Sequence, residues 1–480
     1  MKDIKQLRTA PKATERIVQF GEGNFLRAFV DWMVDVMNKK IGFDASVVLV
    51  QPIAFGRVAA LNEQDCMYTL TLKGITNGVA SSEDILIESV SRGIDPFADF
   101  DAYMALATQP EIRFVVSNTT EAGIAHVASA TKEQTPADGF PAKLTQFLFK
   151  RFEHFAGAAD KGLIMFPCEL IEKNAEKLRT IVLQYATEWA LGEAFAAWVS
   201  SACSWHNTLV DRIVPGVPQD RPALEARVGY VDHSAVEAEP FHLWVIEADE
   251  AVQAEFPAPA AGLNLVYAKD LTPYRTRKVR ILNGVHTMMT PIVYLGGVDT
   301  VGESFDHPVF SAFIKKVIVQ EIIPTLDLSL EELNSFAASV EERFRNPYVS
   351  HAVLSISLNS VSKYKARVLP SVVRYATEKG ALPQGLTYAL AALIVFYKGN
   401  ACDRTYNLSD DAAILTKFET LWHQKTLTLL SAEQLVAEFL SDTEIWDVLP
   451  ADVEGLVSQT ALYVDEILEN GILASLPEIQ

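Results

Sequence analysis

Lys278, Asn283 and His286 place an amine, an amide and an imidazole within one short run, Lys278-Val279-Arg280-Ile281-Leu282-Asn283-Gly284-Val285-His286. Such a set can reduce a ketone without a metal. A hydride reaching a carbonyl carbon leaves negative charge on the oxygen, so the site needs a proton donor and preorganised hydrogen-bond donors aimed there. Lys278 can give the proton, and Asn283 and His286 can hold the oxygen. On a regular helix Asn283 and His286 share a face one turn apart, while Lys278 stands about 80° around from His286, a gap its long side chain can close. An amine does this near neutral pH when its pKa is lowered; Arg275, Arg277 and Arg280 supply like charge, and partial burial would add desolvation. The competing view is a solvated basic face with an incidental histidine, because runs of charge are usually surface.

The elements that must position these side chains follow from pattern. Ile17-Val18-Gln19-Phe20 reads as a strand that breaks at Gly21-Glu22-Gly23, and Asn24 to Met37 then carries Phe25, Phe29, Met33 and Val34 at helical spacing. Ser46 to Val50, Phe114 to Ser117 and Leu163 to Phe166 repeat the apolar run ending in polar residues, as parallel strands do at a ligand edge. Leu243 to Ile246 and Leu263 to Tyr267 would extend that sheet. Asp270-Leu271-Thr272-Pro273 interrupts the pattern, and beyond it helices dominate: Pro308 to Ile323, Ser329 to Phe344 with a Ser329-x-x-Glu332 capping box, Gly385 to Tyr397, and a second box at Ser431-x-x-Gln434. The expected fold is α/β, with a Rossmann-type dinucleotide-binding domain over residues 1–270 followed by a mostly α-helical domain over residues 271–480.

In the first of these domains, Gly21-x-Gly23 lets backbone amides approach a pyrophosphate at a helix N-terminus. The usual third glycine falls at Leu26, so the fingerprint is incomplete, and the alternative is an ordinary tight turn. The end of the second strand carries Gln51 where an acid commonly binds the adenosine ribose, and Asp44 precedes that strand, so on physical grounds the choice between NAD and NADP is open. Arg57 is a candidate for a ribose phosphate or plain surface.

Composition narrows the partners. The 480 residues are 49% apolar and 21% charged, enough for a large core. With 61 acidic against 41 basic residues the formal charge is −20, which repels nucleic acid and anionic membrane and asks any small anionic substrate to find a local basic pocket. Met1 to Arg16 lacks an apolar signal core, and Leu386 to Tyr397 is too short to span a bilayer, which points to the cytoplasm. Four scattered cysteines form no C-x-x-C pair and give no metal pattern, so no metal is expected.

Four motifs together, Gly21-Glu22-Gly23-Asn24-Phe25-Leu26-Arg27-Ala28-Phe29, Asn118-Thr119-Thr120-Glu121-Ala122-Gly123, Asn207-Thr208-Leu209-Val210-Asp211-Arg212-Ile213 and Lys278 to His286, resemble the mannitol dehydrogenase family of polyol-specific long-chain dehydrogenases nearly end to end. The branch acting on sugar acids is the most similar, through Pro167-Cys168-Glu169-Leu170-Ile171 and Arg343-Phe344-Arg345-Asn346-Pro347-Tyr348 as well. The resemblance implies an NAD-dependent oxidoreductase with Lys278 as general acid and base, Asn283 and His286 polarising the carbonyl, and Asp211 orienting the group. It implies cofactor contacts from Phe20, Gly21, Glu22, Gly23, Asn24, Phe25, Leu26, Arg27, Gln51, Asn118 and Thr119, and substrate contacts from Asn174 and Lys363. Sugar-alcohol members carry Asp-Asn where this chain has Glu169-Leu170, so one contact to a sugar hydroxyl is missing. A family arginine aligns with Lys363, and Lys363, Lys365 and Arg367 form a candidate receiver for a carboxylate. Alternatives are a fructuronate- or mannitol-type activity, a sensor that keeps the fold without turnover, and, most remotely, a metal-dependent isomerase.

Overall fold

The computed structural model describes residues 2–8, 11–120 and 122–479; Met1, Thr9, Ala10, Gln480 and Glu121 of the second motif lie outside the described residues. The chain divides into two units, one of residues 1–73 and 81–271, the other of residues 74–80 and 272–480.

The first unit is built on six parallel strands: β1 (Glu15–Phe20), β2 (Ser46–Val50), β3 (Val90–Ile94), β4 (Phe114–Ser117), β5 (Ile164–Pro167) and β6 (Ser204–Trp205). Their order across the sheet is β3-β2-β1-β4-β5-β6, the doubly wound arrangement whose direction reverses between β1 and β4. Central strands of such a sheet are covered on both faces, which is why Val47, Val48, Leu49 and Val50 are all buried. At the carboxyl edge three backbone bonds stitch the strand ends: Gly21 N to Val50 O at 3.1 Å, Asn118 N to Phe20 O at 3.1 Å and Cys168 N to Ser117 O at 2.7 Å.

The run Leu243 to Ile246 departs from expectation. It forms β8 (Leu243–Glu247) between β7 (Thr208–Asp211) and β9 (Leu265–Ala268) in a separate three-stranded sheet. Because β7 runs antiparallel to β8, this piece is a mixed sheet of its own, not an extension of the parallel one. Pattern also passed over the hairpin Tyr68–Thr76 and Val79–Ile87, although Asn77-Gly78 at positive φ (52° and 76°) is the turn such a hairpin demands. On the flank of the parallel sheet, α1 (Asn174–Glu188) follows β5.

Thr272 onward is almost wholly helical. The elements that matter for the site are α2 (Gly284–Leu295), α3 (Leu330–Phe344), α4 (Ser360–Arg367) and α5 (Gln384–Phe396). Ser329 caps α3 by accepting from Glu332 N, but the Glu332 carboxylate returns to the Ser329 hydroxyl, so only half of the box forms; the Ser431–Gln434 box is complete. All residues of α5 from Gly385 to Phe396 are buried, as a uniformly apolar helix requires. Among the described residues no helix is long and apolar enough to cross a membrane.

α5 packs against α2 and is capped by a buried carboxylate, Glu321, which accepts from Gly385 N (2.8 Å) and Leu386 N (2.9 Å). Burial outweighs those bonds and pushes the Glu321 pKa up to about 7. The folded state therefore binds this proton more tightly than the unfolded one, so the contribution is full below the ordinary carboxylate pKa and is lost as pH rises towards 7. Relative to Glu321→Gln, the wild type is expected to lose on the order of 2–3 kcal/mol between pH 4.5 and 7.5. Melting temperatures of both proteins across that range check it; a constant difference would contradict it.

Candidate active site

In the first unit the turn after β1 is shaped by close backbone approach. Gly21 has φ +120°, and a Cβ there would sit 3.1 Å from Asn118 O and 3.3 Å from the Leu26 side chain, so glycine is required. A Cβ on Gly23 would meet nothing within 4 Å, leaving the backbone at the helix start open to a ligand. These two positions, at the reversal between β1 and β4, form the cradle that a dinucleotide pyrophosphate fits.

Several side chains assigned to the cofactor instead hold this turn. The Phe20 ring is fully buried, against Tyr103 and Phe140, and Leu26 lies in the core. Phe25 stacks on Phe29 at 5.0 Å. Arg27 is completely buried and donates to Glu22 O at 3.0 Å, to Ser234 O and to Asn24 Oδ1 at 2.8 Å, so it braces the loop from beneath. The side chains of Phe20, Leu26 and Arg27 thus shape the turn, which leaves a ligand the backbone of this stretch. Gln51 is also buried and donates from Nε2 to Ile53 O at 3.0 Å.

At the end of β4, Asn118 and Thr119 are half-buried, and the loop they begin is tied to Glu169. The Glu169 carboxylate is almost fully buried and accepts from Ser117 Oγ (3.0 Å), Thr119 N (2.9 Å) and Thr119 Oγ1 (3.0 Å). Desolvation raises its pKa against the pull of those bonds. Leu170 is 60% exposed. Asn174, a candidate substrate contact, is engaged within the protein: its Nδ2 donates to Pro167 O, Glu169 O and Thr208 O, and its Oδ1 accepts from Ala175 N and Thr208 N. With every position taken, this amide clamps the end of β5 to β7 and the start of α1. Asp211 is the last residue of β7 and is buried; its neighbour Arg212 donates to Glu239 O and Ala28 O and lies 4.2 Å over the Trp32 ring.

The second unit carries the amine, amide and imidazole. Lys278 to Asn283 is a π-helical turn, closed by Gly284 N donating to Val279 O, and it runs directly into α2. This corrects the regular-helix geometry. A π turn takes in one extra residue, so eight residues of separation behave as about seven, and Lys278 and His286 come to within roughly 20° of one another. The three side chains then share one face, and all three are half-buried.

His286 packs on the Phe344 ring with centroids 4.1 Å apart and meets the edge of His351 at 5.3 Å. Its Nε2 is buried with no hydrogen-bond partner. Burial, then electrostatic coupling to His351 and the charges of Arg343, Arg367 and Lys363, pushes its pKa down to about 3, while burial lowers the pKa of His351 itself. The imidazole is therefore neutral at physiological pH, and it sits at the centre of a cationic group.

That group is assembled by α4. A Cβ on Gly284 would sit 3.1 Å from Arg367 O, so glycine lets the end of α4 lie directly on the π turn. Arg280 Nη1 donates to Ala366 O at 3.0 Å and Arg367 Nη1 to Thr287 Oγ1 at 3.4 Å. Lys363 donates to Ile356 O at 2.8 Å, and its pKa is lowered by burial and then by Arg367. Lys365 does not belong to this cluster: it binds Ile445 O and the Asp447 carboxylate at 2.8 and 2.9 Å. Arg277 lies over Phe336 at 4.4 Å and Tyr274 at 5.2 Å. Arg343 and His351 were missed from sequence; the Arg343-Phe344-Arg345-Asn346-Pro347-Tyr348 motif was the available signal.

Residues 15–258 match the mannitol dehydrogenase Rossmann domain and residues 270–468 the mannitol dehydrogenase C-terminal domain. The chain belongs to the mannitol dehydrogenase family, and it is an oxidoreductase acting on CH–OH groups. Similar proteins include altronate oxidoreductases of Klebsiella pneumoniae strain 342, 47% identical over 460 residues, and of Escherichia coli O139:H28, 46% identical over 460 residues, each alignment covering 95% of both chains. Among solved structures the fold is shared with a D-sorbitol dehydrogenase (TM-score 0.78, 23% identity, 97% of this chain and 95% of that one). It is shared as well with Pseudomonas fluorescens mannitol 2-dehydrogenase in complex with NAD and D-mannitol (TM-score 0.63, 22% identity, 99% and 97%).

Proposed function

We propose that this protein interconverts D-tagaturonate and D-altronate with NAD, by metal-free hydride transfer. The observation that carries the reading is the cationic group around His286: Arg343, Lys363 and Arg367 gathered beside a lysine, an amide and a neutral imidazole, with the His351 ring against it. A polyol has no need of such charge, whereas a hexulosonate brings a carboxylate to it. The altronate activity named for relatives 46–47% identical over nearly the whole chain supports the same choice.

When bound in the Gly21–Gly23 cradle, the nicotinamide dinucleotide supplies or accepts the hydride at the substrate carbon. The chain handles the rest. In reduction, Lys278 donates its proton to the ketone oxygen as charge builds there, giving the carbinol; in oxidation it removes that proton. Asn283 and the neutral His286 donate hydrogen bonds to the same oxygen, and Asp211 orients the reacting group. A neutral imidazole suits this task, since it stabilises the oxygen without competing with Lys278 as acid.

Turnover of NADH by purified protein with D-tagaturonate, D-fructuronate and D-fructose side by side tests the substrate. Tagaturonate is expected to have the highest kcat/KM, by about tenfold or more over the uncharged ketose, the worth of roughly one charge-assisted contact. Equal or faster turnover of fructose would overturn the assignment.

A further inference from the structure

The adenosine end of the dinucleotide site lacks its usual acid, because β2 is followed directly by Gln51, whose side chain is buried and bound to Ile53 O. Another carboxylate lies close to this loop. Glu22, between the two glycines of the turn, folds towards the loop after β2 and accepts from Arg57 N at 3.1 Å. A Cβ on Gly56 would lie 2.2 Å from both Glu22 Oε1 and Gln51 Oε1, so the two oxygens converge on a spot that only glycine leaves open. In the same loop Ile53 and Phe55 are 61% and 86% exposed, an apolar surface beside a polar corner, which is the pairing an adenosine offers in reverse.

We infer that Glu22 is the residue that selects NAD over NADP, presenting to the adenosine ribose the carboxylate that a strand-end acid ordinarily supplies. Its side chain can accept from the ribose hydroxyls, while a 2′-phosphate would bring a second anion against it. Arg57 completes the device. Its backbone N–H holds the carboxylate, and with the carboxylate gone its side chain, next to that spot, becomes a phosphate receiver. The inference rests on the dinucleotide reading of the turn and is independent of which sugar acid is reduced.

Fluorescence titration of the whole protein with NADH and NADPH, without sugar substrate, provides the test. The wild type is expected to bind NADH at least tenfold more tightly. Glu22→Gln, which keeps an acceptor for Arg57 N, should shift the NADPH-to-NADH ratio at least tenfold towards NADPH, and adding Arg57→Ala should remove most of that gain. A ratio that moves less than twofold in Glu22→Gln would overturn the inference. In the unaltered protein, ADP-ribose and its 2′-phosphorylated form competing against NADH ask the same question without a substitution. The phosphorylated fragment should compete at least tenfold less well, and equal competition would also overturn it. Failure to bind either NADH or NADPH would remove the dinucleotide reading and this inference together, whereas failure on tagaturonate alone would touch neither.

Discussion

Lys278→Ala is expected to lower kcat for tagaturonate reduction by about 10³–10⁴-fold, the upper range for loss of a positioned proton donor. NADH affinity should stay within about threefold, since the cradle at Gly21 and Gly23 lies in the other unit of the chain. A transition-state interaction lost on its own lowers kcat and kcat/KM together and leaves binding alone. Asn283 and His286 remain to hold the oxygen, so residual turnover should persist, and a small primary amine added to the solution should restore part of it. Single-turnover measurements with NADH monitored directly are the check. A loss below tenfold would show that another group donates the proton.

The second large effect separates a sugar acid from a sugar. Lys363→Met removes one charge from the group around His286 while keeping much of the side-chain volume, and should raise KM for tagaturonate about 10–100-fold, the cost of one charge-assisted hydrogen bond. The KM for fructose, which has no carboxylate, should change by less than about threefold. Arg367→Ala should act in the same direction, but it also frees Thr287 Oγ1 and loosens the end of α4, so a change in melting temperature is expected there as well. Parallel losses for acid and neutral ketose would place the carboxylate elsewhere.

Much of this arrangement could be read from the chain. The runs at Ile17, Ser46, Phe114 and Leu163 are mostly apolar and buried, so they show up as short apolar stretches, and all four are strands of the parallel sheet. β6, only Ser204–Trp205, is too short to leave a pattern. The strands at Leu243 and Leu265 were visible as strands, but the direction of their neighbour β7 is set by tertiary pairing, which local sequence does not encode.

For the site, the lysine, asparagine and histidine were legible because they are close in sequence. The π turn was not, since it alters the hydrogen-bond ladder without altering the apolar spacing, yet it is what removes the angular offset of Lys278. Arg27 and Asn174 read in sequence as candidate ligand contacts because they lie near the cradle; their burial and their hydrogen bonds within the protein emerge only in three dimensions. Glu169 shows the reverse. The contact read as lost belongs to its neighbour Leu170, while in the structure the Glu169 carboxylate ties the β4 loop in place.

The most direct measurement is the distance from Lys278 Nζ to the reacting oxygen in a crystal of the protein with NADH and a non-reducible tagaturonate analogue. The account predicts about 2.6–3.2 Å, with Asn283 and His286 donating to the same oxygen. An amine more than about 5 Å from that oxygen, with a different side chain in hydrogen-bond contact, would contradict it.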